Sequence, residues 1–192
     1  LAAIAACQSE TSSPPFRLVI ESSNSTLNGT VLGACHEGAA IEGLCSTSIL
    51  VTDDPVPATT FHYNVSSSAN NDTDTQGSLH YTLVTANFNV TSTMGFSFDP
   101  SSNLAIPIIS PGGNSATFVS FDSCGALYIS DGIDDTTDPP GRDYPGKKLE
   151  NWYICTTYWS YTYTTLAWKV GTPDVPPQNP TCQKVRVKRV FN

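Results

Sequence analysis

The sequence predicts an all-β fold in one domain, an antiparallel β-sandwich or barrel of about a dozen short strands, with a β-trefoil as the alternative. Short runs rich in β-branched and aromatic residues recur between clusters of Gly, Pro, Asn, Asp and Ser. None of them sustains a helical period. Six cysteines in 192 residues add a disulfide framework to the expected sheet.

In chain order the predicted strands begin with FRLVI at 16–20, TVLGA at 30–34, TTFHYNV at 59–65 and GSLHYTLVT at 77–85. They continue with GFSFD at 95–99, LAIPII at 104–109, ATFVSFD at 116–122 and ALYIS at 126–130. The last three are WYICTTYW at 152–159, YTTLAW at 163–168 and KVRVKRVF at 184–191. Turn chemistry separates them in SSNSTLNG, VTDDPVP, SSSANNDTDTQG, DPSSN, SPGGN and TPDVPPQNP. The final strand alternates Lys184, Arg186 and Lys188 with Val185 and Val187, the pattern of a protected edge with one basic face. Residues 131–148 form the longest polar insertion, a candidate rim.

No Pro/Gly/Ser linker divides the chain, so residues 16–192 are read as one domain and residues 1–15 as an N-terminal arm. The apolar stretch LAAIAA reads as the tail of a signal-peptide core, a packed strand or a donor arm. No apolar run reaches the roughly 18 residues of a membrane span.

A formal charge of −8 and only nine Lys and Arg argue against nucleic acid and anionic membranes as partners. Charged residues make up 14% of the chain, against about 25% in ordinary domains. Solubility therefore rests on hydroxyls, amides and attached glycans. Five N-x-[ST] sequons, at Asn24, Asn28, Asn64, Asn71 and Asn89, point to the secretory pathway. All but Asn89 fall in or beside predicted breaks, with Asn64 opening a loop.

An oxidising compartment makes three bridges the simplest use of the cysteines. Cys35–Cys45 is expected around a short loop, HEGAAIEGL, and Cys155–Cys182 between an aromatic strand and the C-terminal strand, leaving Cys7–Cys124 by elimination. No C-x-x-C occurs, which removes the usual zinc-ribbon and thioredoxin readings.

Catalytic signatures are absent. His36–Glu37 starts a near miss to H-E-x-x-H, but position 40 is Ala40, so the pair is assigned to the bridged loop. His36, His62 and His80 hold a metal only if they converge, and structural roles are preferred. Asp131, Asp134 and Asp135 form a weak calcium candidate in a loop better read as solvated. No cofactor is assigned. No G-x-S-x-G is present, and a carboxylate pair for glycoside hydrolysis has no defined members among Glu37, Glu42, Asp99, Asp122 and Glu150.

The binding feature is an aromatic belt: Trp152, Tyr153, Tyr158, Trp159, Tyr161, Tyr163 and Trp168. Strand parity places Trp152, Ile154 and Tyr158 on one side and Tyr153, Cys155 and Trp159 on the other, so one set is core and the other a platform. Trp159, Tyr161 and Tyr163 are the residues assigned to glycan, since flat apolar rings with polar tips stack on sugars.

The stretches FRLVIESSNSTLNGTVLGACHEGAAIEGLC, YICTTYWSYTYTTLAWKVG and NPTCQKVRVKRVF resemble a family of small secreted proteins of filamentous ascomycete fungi with no assigned biochemical function. The resemblance covers most of residues 16–192. It implies fungal origin and secretion and carries over no catalytic residue. The leading expectation is a secreted, non-catalytic glycoprotein of the surface or matrix that binds polysaccharide or cell-wall glycan. A self-assembling subunit using the apolar arm, with the protein as its own partner, and a carboxylate-dependent glycoside hydrolase are the alternatives.

Overall fold

A computed structural model describes residues 10–66, 73–112, 116–130, 132–142, 146–171 and 175–192. The strands are β1 (Glu10–Ser12), β2 (Phe16–Glu21), β3 (Thr30–Gly38), β4 (Ile41–Leu50), β5 (Phe61–Ser66), β6 (Gly77–Val84), β7 (Asn89–Phe98) and β8 (Leu104–Ser110). They continue as β9 (Phe118–Phe121), β10 (Leu127–Ser130), β11 (Lys148–Leu149), β12 (Trp152–Tyr158), β13 (Thr162–Lys169), β14 (Gln183–Lys184) and β15 (Arg186–Phe191). A single 3-10 turn, Pro57–Thr59, is the only helical element among the described residues.

Of the sandwich, barrel and trefoil expected from the sequence, the barrel is realised. Eight strands close in the order β2–β3–β4–β13–β8–β7–β6–β5 and back to β2 through Phe16 and Phe61. β4 and β8 pair directly at Glu42–Ile109 and Gly43–Ile108, while β13 meets β4 at Thr165–Cys45 and β8 at Trp168–Ala105. Closure removes the unpaired sheet edges that otherwise invite aggregation. The remaining strands branch from it: β12 on β13, β14 on β12, β15 on β2, β1 on β5, and β9, β10 and β11 in series from β6.

Barrel and appended strands share one hydrophobic core. Leu18, Ile20, Leu32, Leu44, Leu79, Met94, Ile109, Leu166 and Val187 are fully buried there with Phe16, Phe61, Tyr63, Phe121 and Trp152. Strand β5 shows the period-2 pattern of a half-buried strand, with Phe61, Tyr63 and Val65 inward. Strand β2 is buried at every residue but Glu21, and β15 pairs along all of it, from Arg186–Glu21 to Phe191–Phe16.

The KVRVKRVF segment divides at Val185 into β14 and β15. Its outward side chains are engaged: Arg186 reaches Glu150 at 2.9 Å and Asp122 at 3.5 Å, and Lys188 reaches Glu21 at 3.3 Å. Arg189 turns the other way, its guanidinium 4.4 Å from the Phe121 ring centre and 4.9 Å from that of Phe191, a cation–π seat.

Two local expectations are corrected. HEGAAIEGL is not a loop but the turn end of the β3–β4 hairpin, with Ala39 and Ala40 at the turn and Ala40 at φ 57°. Its two glycines and few β-branched residues hid the strand, yet cross-strand register from Ala34–Leu44 to His36–Glu42 is continuous. Asn64 does not open a loop either. It lies within β5, opposite Ser78 of β6 and Ser12 of β1, and its Nδ2 donates to Glu10.

Candidate functional site

Hairpin β7–β8 ends at Phe98, and the chain returns through Asp99–Asn103 to Leu104. Asp99 Oδ1 accepts from the Ser101 amide at 2.8 Å and from its hydroxyl at 2.5 Å, an Asx turn that the DPSSN sequence favours. Across from it runs the segment before β14. Gln178 there donates its backbone amide to Asn103 Oδ1 at 3.0 Å and its side-chain amide to Ser101 O at 2.8 Å. Asn179 donates to Thr156 O of β12, and Cys155–Cys182 ties the same segment to β12 covalently.

Between these walls lies a cleft of about 630 Å³, within the range of small-ligand sites. Its apolar surface comes from Phe98, Leu104, Ile106, Tyr158 and Trp159, and its polar rim from Asp99, Ser102, Gln178 and Asn179. Phe98 is 64% exposed and Tyr158 72%. Two large rings are therefore left open at one cleft. The Trp159 indole N–H donates to Ser97 Oγ at 3.0 Å, which fixes the ring at the cleft wall.

The turn that carries Trp159 is held by Glu37. This carboxylate, only 2% exposed, accepts from the backbone amides of Ser160 at 3.2 Å and Tyr161 at 3.1 Å. Glu37 is thus a positioning residue for the β12–β13 turn. A buried carboxylate satisfied by two amides is stable where an unpaired one is not.

The three assigned aromatics separate. Trp159 lines the cleft, but Tyr161 and Tyr163 do not. Tyr161, 48% exposed, sits 5.9 Å from His36 and 6.0 Å from Tyr163, forming its own cluster beside the β3–β4 turn. The parity division also fails beyond Ile154. Trp152 and Ile154 enter the core as one set, but Tyr158 of that set is open. Cys155 and Thr157 of the opposite set are buried beneath the disulfide-tied segment. Phe98 and Asp99 lie 61 and 60 positions before Trp159, and Gln178 and Asn179 lie 19 and 20 after it, so they were not assigned to this site, and only the turn signals DPSSN and TPDVPPQNP marked their neighbourhoods.

A second polar pair sits at the β3–β4 end of the barrel, where His36 and Glu42 are register partners. Glu42 is 6% exposed and shares parity with the core residue Leu44. Burial pushes its carboxyl above the ordinary glutamate range, with His36 opposing the rise and Glu37 adding to it. The folded chain therefore holds this proton more tightly than the unfolded chain does. Stability falls as pH rises from the ordinary value to the raised one, and the penalty is complete above that window. Glu42→Gln is expected to raise the denaturation midpoint at neutral pH and to bring no gain below the ordinary glutamate range. Urea melts of both proteins across pH 3–8 check this.

Other assigned positions are placed as follows. Cys35–Cys45 and Cys155–Cys182 are bonded, with Cα separations of 5.8 and 4.1 Å. Cys124 is exposed and unbonded among the described residues, and Cys7 lies outside them, as do Asn71, Asp131 and the stretch Leu1–Ala6. Asn24 and Asn28 occupy the β2–β3 turn, and Asn89 is exposed at the start of β7. His62 and His80 face each other across β5–β6, but His36 is elsewhere, and His80 engages Ser78 and Thr93. Burial lowers the His80 pKa, with His62 contributing and Glu10 opposing. Asp134 accepts from Thr136, and no three His, Cys, Asp or Glu side chains converge as metal ligands among the described residues. No helix among the described residues is long and apolar enough to cross a membrane.

Neither the curated proteins nor the solved structures contain a match to this chain. The model of a domain of unknown function (DUF7907) matches residues 13–191, nearly the whole of the barrel and its appended strands, and the chain belongs to that family.

Proposed function

We propose that this protein is a secreted, non-catalytic N-glycoprotein of fungal origin that binds a wall or matrix glycan in the cleft of Phe98, Tyr158 and Trp159. The observation that carries this reading is the cleft itself: three aromatic rings border a groove whose rim bears a carboxylate and two amides. Aromatic faces supply apolar contact for the C–H faces of a pyranose, and rim polar groups supply its hydroxyl partners. Asp99 is the one carboxylate among the lining residues. Hydrolysis by a facing pair of carboxylates therefore finds no second member there.

Calorimetric titration with soluble oligosaccharides from fungal and plant walls tests the reading. Trp159→Ala is expected to weaken binding by about thirtyfold, the loss of one buried aromatic anchor. Tyr163→Ala, outside the cleft, should have far less effect. Absence of binding by the unaltered protein to every such oligosaccharide would overturn the proposal.

A further inference from the structure

The lining of the cleft carries one charged group, Asp99, and one of its two oxygens is uncommitted. The side-chain amides of Gln178 and Asn179 already donate to Ser101 O and Thr156 O, and Asn179 Oδ1 accepts from Thr181. Gln178 Oε1 and Asp99 Oδ2, by contrast, accept no hydrogen bond from any described residue. Both are acceptors, one of them charged, beside the hydroxyls of Ser102, Thr156 and Tyr158, which donate as well as accept. No Lys or Arg is among the lining residues, so nothing in the cleft opposes a cation or attracts an anion.

Resting on the glycan reading above, we infer that the cleft selects an amino-sugar glycan carrying free ammonium groups, with Asp99 as the residue that discriminates it from neutral and uronic-acid glycans. An ammonium is a donor without acceptor capacity, the complement of the two open oxygens. It gains a charge-assisted bond from Asp99 Oδ2, whereas a uronate carboxylate there meets like charge. The aromatic rings contact the sugar face and supply affinity, while Asp99 supplies the preference for charge. The two hydrogen bonds from Ser101, side chain first, hold the Asp99 carboxyl below the ordinary aspartate range. It therefore stays ionised in the mildly acidic solutions where glucosamine is protonated.

The test uses tetramers of glucosamine, N-acetylglucosamine and galacturonic acid, titrated calorimetrically against the full chain and against Asp99→Asn at mildly acidic pH. The asparagine keeps the Oδ1 acceptor for Ser101 while replacing the charged oxygen, and matching thermal unfolding midpoints verify that the loop is retained. The glucosamine tetramer is expected to bind about fivefold more tightly than the N-acetylated one, the scale of an exposed ion pair. Galacturonate should be the weakest of the three. In Asp99→Asn, and in the original protein at high salt, the glucosamine preference should fall toward one. Equal binding of the two amino-sugar tetramers, a preference for galacturonate, or a glucosamine preference that survives Asp99→Asn would each overturn this inference while leaving the glycan reading in place. Failure of all three tetramers and of the wall oligosaccharides would remove both.

Discussion

Trp152→Ala is expected to lower the unfolding free energy by about 3–5 kcal/mol, the cost of emptying a fully buried aromatic site. Trp152 is 0% exposed and meets its register partner Trp168 edge-on at 4.7 Å, with Phe96 packed against both rings. Its indole N–H donates to Leu127 O at 2.8 Å, so it also joins β12 to β10, strands with no direct pairing. Loss of the ring therefore leaves a cavity and a carbonyl without its donor. Because small domains are held by about 5–15 kcal/mol, this one change consumes a large part of the total. Trp152→Phe separates the two contributions: it keeps most of the apolar volume and should lose only about 1–3 kcal/mol, mainly the orphaned carbonyl. Guanidinium unfolding with disulfides intact measures both. Equal losses for the two variants would mean that the hydrogen bond, not the packing, dominates.

Gly77→Ala should be nearly as damaging, at about 3 kcal/mol, although it adds a single methyl group. A Cβ at Gly77 would stand 2.6 Å from Tyr63 Cζ and closer still to the backbone oxygen of Asn64. Tyr63 has no room to retreat, since it is fully buried and its hydroxyl lies 2.7 Å from both Thr75 O and Val119 O. The conflict falls on the β5–β6 pairing, one of the links that close the barrel. Gly112→Ala is the contrasting control, because its φ is +98° but a Cβ there meets nothing within 4 Å. Backbone strain alone should cost it about 1 kcal/mol. A thermal melt in which Gly77→Ala loses no more than Gly112→Ala would show that β5 and β6 can part without disturbing the core.

Much of the strand content was legible because burial on one side of a sheet imposes alternation. FRLVI, TTFHYNV, GSLHYTLVT and LAIPII all appear as strands close to their predicted limits. The ten-residue β4 escaped because its signal is weak locally and its stability comes from pairing with β3 and β8 on either side. Glu37 was equally opaque. It reads as a polar residue beside a cysteine, and its role arises only when a turn 123 residues later presents two amides to it. The aromatic belt named Tyr158 and Trp159 but not their partners across the groove. Phe98 and Asp99 come from one hairpin, Gln178 from a segment pinned by a disulfide, and neither periodicity nor composition relates distant segments.

By itself the sequence determined the all-β class, two disulfide pairs and the residues able to form a core, since these follow from side-chain type and spacing along one segment. Tertiary structure alone decided that the sheet closes as a barrel, that Tyr161 and Tyr163 part from Trp159, and that Asp99 is the charged residue lining the cleft. Each of these depends on which segments meet, and a one-dimensional pattern does not record that.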